Sequence, residues 1–157
     1  MSARAVSRRI NVGSFPTLFP QGRGQGEGLA VVDLSKPVQP REVTYAQLDA
    51  QCTAIAAGLT AHGLGRGDRV GILALNRTEY IAALYGTMRA GAVPVPLNIK
   101  LPAESLAFIA RDAGLKLLFV DSQHRRLAPP DTPLVVAGPQ TEKEFTRVLL
   151  DDLLSLD

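Results

Sequence analysis

The sequence predicts an α/β protein: a parallel sheet with βαβαβ crossovers, preceded by a β-hairpin and a helix. Three observations carry this expectation. The continuous apolar runs "VGILAL" (Val70–Leu75) and "KLLFVD" (Lys116–Asp121) have strand length and suit strands covered on both faces of a parallel sheet. Segments with apolar residues at helical spacing alternate with such runs, which gives the order strand–helix–strand–helix–strand and right-handed crossovers. The run "AVPVPL" (Ala92–Leu97) carries Pro94 and Pro96 inside a valine-rich strand. Amides two residues apart point to the same edge, so the two prolines remove donors from one edge only. Val93, Val95 and Leu97 keep theirs for a neighbour on the other. That strand belongs at a sheet border or beside irregular chain.

The elements follow in order. "LAVVDLSKPVQPREVTY" reads as two short strands joined by a Pro-containing connection, a hairpin. Thr44 and Gln47 form a capping box, in which each side chain satisfies a backbone amide of the other. Leu48, Cys52, Ile55 and Leu59 then repeat on one helical face, and Gly63 is a left-handed stop. Cys52 therefore reads as a core residue rather than a nucleophile. "GRGDRV" turns the chain into the first parallel strand, with Asp68 and Arg69 as turn and strand-start residues. Asn76 ends that strand and Thr78 is positioned to cap the next helix, whose Ile81, Leu84, Tyr85 and Met88 share a face. Gly91 closes it. A third helix has Pro102 in its first turn and Leu106, Ile109, Ala110 and Ala113 on one side, and it stops at Gly114. Arg89 and Arg111 fall late in their helices, where positive charge complements the helix dipole. "PLVVAG" supplies a further strand, and Thr141 with Glu144 makes a second capping box before "FTRVLLDDLLSL". Residues 1–26 read as an irregular basic arm, 27–140 as the α/β unit and 141–157 as an acidic helical tail.

Composition narrows the function. The chain has 157 residues, enough for one domain with a real core, and 46% of them are hydrophobic. A net charge of +2 with basic residues spread along the chain argues against a nucleic-acid partner. One cysteine excludes a disulfide framework and a cysteine metal cluster, and His62 and His124 lack ligand spacing, so no metal site is expected. The arm holds Arg4, Arg8, Arg9 and Arg23 and no acid, the composition of an organelle leader, but "SFPTLFPQGRGQG" breaks any helix there. Without an apolar signal core, or a run near the roughly 18 apolar residues that span a bilayer, the expectation is a cytoplasmic protein with no membrane span. "GRGQGEG" (Gly22–Gly28) lacks the Lys-Ser/Thr of a phosphate loop, and "NRTEY" after "VGILAL" lacks G-x-G-x-x-G. No G-x-S-x-G elbow is present. Ligands of parallel sheets bind beyond the carboxyl ends of the strands, where Asn76, Asn98 and Asp121 stand. Each of the three also serves plainly as a cap or turn residue.

From about Thr44 to Asp121 the chain resembles the start of the adenylate-forming (AMP-binding) enzymes: acyl-CoA synthetases, aryl-CoA ligases, luciferases and peptide-synthetase adenylation domains. The stretches that carry the resemblance are "VTYAQLDAQCTAIAAGLTAHGLGRGDRVGILALN", "EYIAALYGTMRAGAVPVPLN" and "PAESLAFIARDAGLKLLFVD". The resemblance implies the N-terminal portion of a carboxylic acid–CoA ligase, which activates an acid with Mg-ATP to an acyl-adenylate and passes the acyl group to CoA. The family's Ser/Thr/Gly-rich phosphate loop, its adenine-stacking aromatic, its ribose-binding Asp and its C-terminal lid with the catalytic Lys lie outside these residues. The implication is a fragment that is inactive alone, has no catalytic residue of its own, binds no cofactor by itself and takes the rest of the polypeptide as its partner. Asn98 in "PLN" leans toward an acyl- or aryl-CoA ligase, because peptide-synthetase domains more often have Asp there. Lys100 matches a position where some aryl-CoA ligases place a basic residue against a CoA phosphate, usually Arg. A solvated loop lysine is the alternative. The alternative for the whole chain is a non-catalytic α/β binding domain derived from the same start. If the sheet is truncated, the faces of "VGILAL" and "KLLFV" should be uncovered and the isolated chain should self-associate.

Overall fold

Pro94 and Pro96 sit where their chemistry demands, in the border strand of a parallel sheet. The computed structural model describes residues 28–34 and 38–137. The basic arm, the second capping box at Thr141 and Glu144, and the acidic tail lie outside the described residues. The chain runs β1 (Leu29–Asp33), β2 (Arg41–Thr44), α1 (Tyr45–Ala61), β3 (Arg69–Leu73), α2 (Thr78–Arg89), β4 (Val93–Pro96), α3 (Ala103–Ala113), β5 (Leu115–Asp121) and β6 (Leu134–Ala137), with a short 3₁₀ turn at Arg125–Leu127. β1 and β2 form an antiparallel hairpin, irregular between Leu29 and Val31. The other strands form one parallel sheet in the order β4-β3-β5-β6. Among the described residues β4 pairs with β3 alone: the Val93 amide donates to the Asp68 carbonyl (2.7 Å) and the Leu97 amide to the Ile72 carbonyl (2.8 Å).

The helix boundaries follow from local chemistry. At the start of α1, the Gln47 amide donates to Thr44 Oγ1 (3.2 Å) and the Thr44 amide to Gln47 Oε1 (2.7 Å), a complete capping box. At its end Gly63 takes φ +72°, the Leu64 amide reaches the Leu59 carbonyl (2.9 Å) and the Gly63 amide the Thr60 carbonyl (3.0 Å). These paired bonds make a Schellman motif. α2 ends identically, with Gly91 at φ +84° and bonds from Ala92 to Thr87 and from Gly91 to Met88.

Two expectations about helix starts need correction. Thr78 does not cap α2. Arg77 holds the cap position without a side-chain bond, and Asp33 of β1 supplies the acceptor instead, taking the Thr78 amide (3.2 Å) and hydroxyl (3.3 Å). Pro102 is the N-cap of α3 rather than part of its first turn. Its ψ of 153° is extended, and its carbonyl accepts the Leu106 amide (3.1 Å). The missing proline N–H costs nothing at that point.

Two cores form on the two faces of the sheet. Val70 and Ile72 of β3 with Leu117 and Phe119 of β5 meet Leu48, Cys52, Ile55 and Leu59 of α1. Leu73, Leu118 and Val120 point to the other face and meet Leu106 of α3 and Leu97. All seven of these strand side chains are at most 2% exposed, so the faces expected to be uncovered are covered. On α2, Ile81, Leu84 and Tyr85 pack half-buried against the first core, and the fully buried positions are Thr78, Ala82, Ala83, Gly86 and Thr87. Small residues let α2 approach α1 closely: a Cβ at Gly86 would lie 2.6 Å from Ile55 Cβ.

Candidate functional site at the carboxyl ends of the strands

β3 leaves its ladder two residues earlier than "VGILAL" suggests, and this shapes the site. Ala74 and Leu75 diverge from the sheet, and the Leu75 amide donates to Asp121 Oδ2 (2.9 Å) at the end of β5. The next residues, Asn76 and Arg77, are then strung between two buried carboxylates, because the Thr78 amide is held by Asp33. Beyond the strand ends lies an open cleft of about 1030 Å³. Its walls are the β3–α2 turn (74–78), the β4–α3 turn (97–99), the strand β1 with Leu34 (31–34), and Tyr80, Ile81 and Gln123. Ligands of parallel sheets bind at such places.

Asn76 and Asn98 both line this cleft, as their positions at strand ends lead one to expect. Asn98 Oδ1 also accepts the Lys100 amide (2.9 Å), which sets the turn into α3. Lys100 is exposed beside the cleft and is not part of its wall. Asp121 stays outside the cleft and acts as a staple. Its Oδ1 accepts the His124 amide (2.9 Å) and lies 2.7 Å from His124 Nδ1, while Oδ2 holds Leu75. Burial opposes its ionisation, but the hydrogen bonds from Leu75 and His124 outweigh burial and hold its pKa below the ordinary aspartate value. Asp68 and Arg69 are structural: Asp68 Oδ2 accepts the Gly65 amide (2.9 Å), and Arg69 donates to the Ala113 (2.7 Å) and Gly114 (3.2 Å) carbonyls at the end of α3. Arg89 pairs with Asp49 at 2.7 Å across α2 and α1. Cys52 is fully buried, and burial pushes its thiol up to about 11.

Sequence reasoning missed Arg77 and Asp33. Arg77 lines the cleft, and its Nε is buried without a hydrogen-bond partner. Its signal was its place beside Asn76 in the strand-to-helix turn. Asp33 binds Thr78 and also Arg41 (3.4 Å), which in turn binds Glu79 (2.6 Å), so the hairpin is tied to the start of α2. Nothing local in the sequence marks that contact. Among the described residues no three His, Cys, Asp or Glu side chains group to hold a metal ion.

A family profile described as AMP-binding enzyme matches residues 18–153, with the cleft inside the match. The chain belongs to the AMP-binding enzyme family. One relative is the 3-hydroxybenzoate–CoA/4-hydroxybenzoate–CoA ligase of Thauera aromatica, 36% identical over 108 residues, covering 69% of this chain and 20% of the relative. Another is the long-chain-fatty-acid–CoA ligase FadD13 of Mycobacterium tuberculosis, 35% identical over 105 residues, covering 62% and 21%. The chain thus spans about a fifth of the length of these relatives. Among solved structures, the N-terminal domain of FACL13 from Mycobacterium tuberculosis superposes with a TM-score of 0.69 at 28% identity, over 93% of this chain and 36% of that one. The O-succinylbenzoate coenzyme A synthetase of Bacillus subtilis, solved with ATP and magnesium, shares the fold at a TM-score of 0.67 and 24% identity over 87% of this chain and 34% of that one.

Proposed function

We propose that this chain is the N-terminal part of an ATP-dependent carboxylic acid–CoA ligase, which converts acid, ATP and CoA into acyl-CoA, AMP and diphosphate through an acyl-adenylate. The observation that carries this reading is family membership together with relatives named as CoA ligases for hydroxybenzoates and for long-chain fatty acids. Those names span aromatic and aliphatic acids, so the substrate is proposed at the level of a carboxylic acid. The described residues contain no Gly-rich phosphate cradle and no cluster of three or more His, Cys, Asp or Glu side chains, so the groups that would hold Mg-ATP are assigned to the rest of the enzyme. Phosphate and metal binding fall to the remainder of the enzyme, and the chain by itself is inactive.

CoA is the group that these residues can meet. Lys100 stands exposed in the turn that Asn98 organises at the end of β4, and it offers a point charge to a CoA phosphate. In the complete ligase, Lys100→Ala should raise the apparent KM for CoA and leave adenylate formation unchanged. Equal loss in both half-reactions would sink that role. The reading as a whole is tested by extending the coding frame beyond codon 157 and assaying CoA thioester formation by the full product. A frame that closes before a Ser/Thr/Gly-rich Pro-Lys-Gly loop refutes it. Cytoplasmic location belongs to the same proposal and is checked by fractionating cells that express the tagged protein.

One observation favours the second reading, a stand-alone α/β binding domain: the central strands β3 and β5 bury side chains on both faces within the described fold. An isolated chain that is monomeric, unfolds cooperatively and binds no hydrophobic dye supports it, provided the frame closes at this length.

A further inference from the structure

On the reading that this chain is the first part of an acid–CoA ligase, we propose that Arg125 and Arg126 bind the 3′-phosphate of CoA beside Lys100 and set the preference of the enzyme for CoA over its 3′-dephospho form. The two arginines are consecutive in the 3₁₀ turn Arg125–Leu127 that follows β5, and both are exposed. The turn is fixed at either end. Asp121 Oδ1 accepts the His124 amide (2.9 Å), the Leu127 amide donates to the His124 carbonyl (2.8 Å) and the Ala128 amide to the Arg125 carbonyl (3.2 Å). Leu127 and Ala128 then pack against the second core. A cationic turn held in this way loses little backbone freedom when it meets an anion.

Lys100 shares that edge of the fold. Asn98 and Ile99, just before it, and Gln123, just before His124, wall the same cleft. Ile99 and Leu101 also pack against the same core as Leu127. The β4–α3 turn and the 3₁₀ turn therefore lie side by side at the carboxyl ends of the strands, and together they carry three exposed cations. Exposed basic residues are ordinary when an acid or water alone surrounds each of them. Here, among the described residues, none of Lys100, Arg125 and Arg126 makes an ion pair. Asp121 is buried and gives both its oxygens to Leu75 and His124. Glu104 and Asp131 are exposed and pair with none of the three, and Glu104 stands in the first turn of α3, where it complements the helix dipole. Like charges gathered without a counter-charge raise the local concentration of an anion. CoA carries phosphate at two places, a diphosphate within its length and a terminal monoester on the ribose. The monoester is largely dianionic at neutral pH, and its three free oxygens suit the forked donors of arginine, whereas lysine offers only a point charge. ATP brings the same phosphate chemistry, so the test separates the two.

The test compares R125Q, R126Q and the double variant with the parent in the complete ligase, timing thioester formation with CoA and with 3′-dephospho-CoA. The parent should prefer CoA. In the double variant the KM for CoA should rise about tenfold while the KM for dephospho-CoA stays within about twofold, so that the preference collapses. R125K/R126K keeps the charge and loses the fork, and it should recover part of the preference. Both side chains are exposed, so the urea midpoint should not move; the single variants carry the comparison if the pair shifts it. Equal increases for the two substrates, or no increase for either, overturn the assignment and leave the ligase reading intact. A raised KM for ATP in adenylate formation without CoA also overturns it, by giving the turn to the nucleoside triphosphate. A complete protein that forms no acyl-adenylate overturns the ligase reading, and the assignment with it.

Discussion

Gly86→Ala is the sharpest probe of how α1 and α2 pack. A Cβ on residue 86 would stand 2.6 Å from Ile55 Cβ, 2.7 Å from Ile55 Cγ2 and 3.0 Å from the Cys52 carbonyl oxygen. None of these atoms is the free tip of a flexible side chain, so the helices must separate. Overpacking costs about 1–3 kcal/mol, and a clash this close with a Cβ and a backbone carbonyl belongs in the upper part of that range, about 2–3 kcal/mol. Replacing Gly by Ala in a helix interior returns about 1 kcal/mol of propensity. The net expectation is a loss of about 1–2 kcal/mol, despite a change that favours the helix. With a urea m-value of about 2 kcal/mol/M, the unfolding midpoint of the chain should fall by about 0.5–1 M at unchanged slope. Gly71→Ala is the internal comparison. Its Cβ would meet Leu115 Cδ1 and Leu118 Cδ1, both at 2.7 Å, and side-chain tips can rotate away, so the loss should be smaller. A Gly86→Ala protein as stable as the parent, or more so, would refute the close-approach argument.

Asp121 should make stability depend on acid. Its pKa is lowered in the fold, so its contribution is complete above the unfolded value of about 3.9 and is lost as pH falls through the lower folded value. Asp121→Asn should lower stability by about 2 kcal/mol at neutral pH and flatten that acid limb, as read from urea midpoints against pH. Cys52, with its thiol pushed up to about 11 by burial, should alkylate about 100-fold more slowly in the native chain than in denaturant at mildly alkaline pH. A reactive native thiol would place Cys52 outside the core. Thr44→Ala removes one arm of the capping box and should cost about 1 kcal/mol in the same urea titration, with Thr44→Ser recovering most of it.

The features legible in the sequence are those whose causes lie within a few residues. The capping box at Thr44 and Gln47, the left-handed stops at Gly63, Gly91 and Gly114, and the one-sided donors of "VPVP" are local stereochemistry. The carboxyl-end positions of Asn76 and Asn98 follow once the strands are recognised, and both reach the cleft. On α2 the apolar side of Ile81, Leu84 and Tyr85 is legible and packs half-buried against the core, whereas the close approach to α1 at Gly86 is visible only beside Ile55.

By itself, then, the sequence determined the α/β alternation, the hairpin ahead of it, the border position of β4 and the kinship with AMP-binding enzymes, because each is written in residues adjacent or a helical turn apart. Only the tertiary structure decided how the site is held. Asp33 reaches Thr78 across 45 residues, Arg69 reaches Gly114 across 45, and Asp121 reaches Leu75 across 46. A carboxylate or guanidinium has many candidate partners along an unfolded chain. It gains one when sheet pairing and helix packing bring a backbone group to within about 3 Å in a place that water cannot serve.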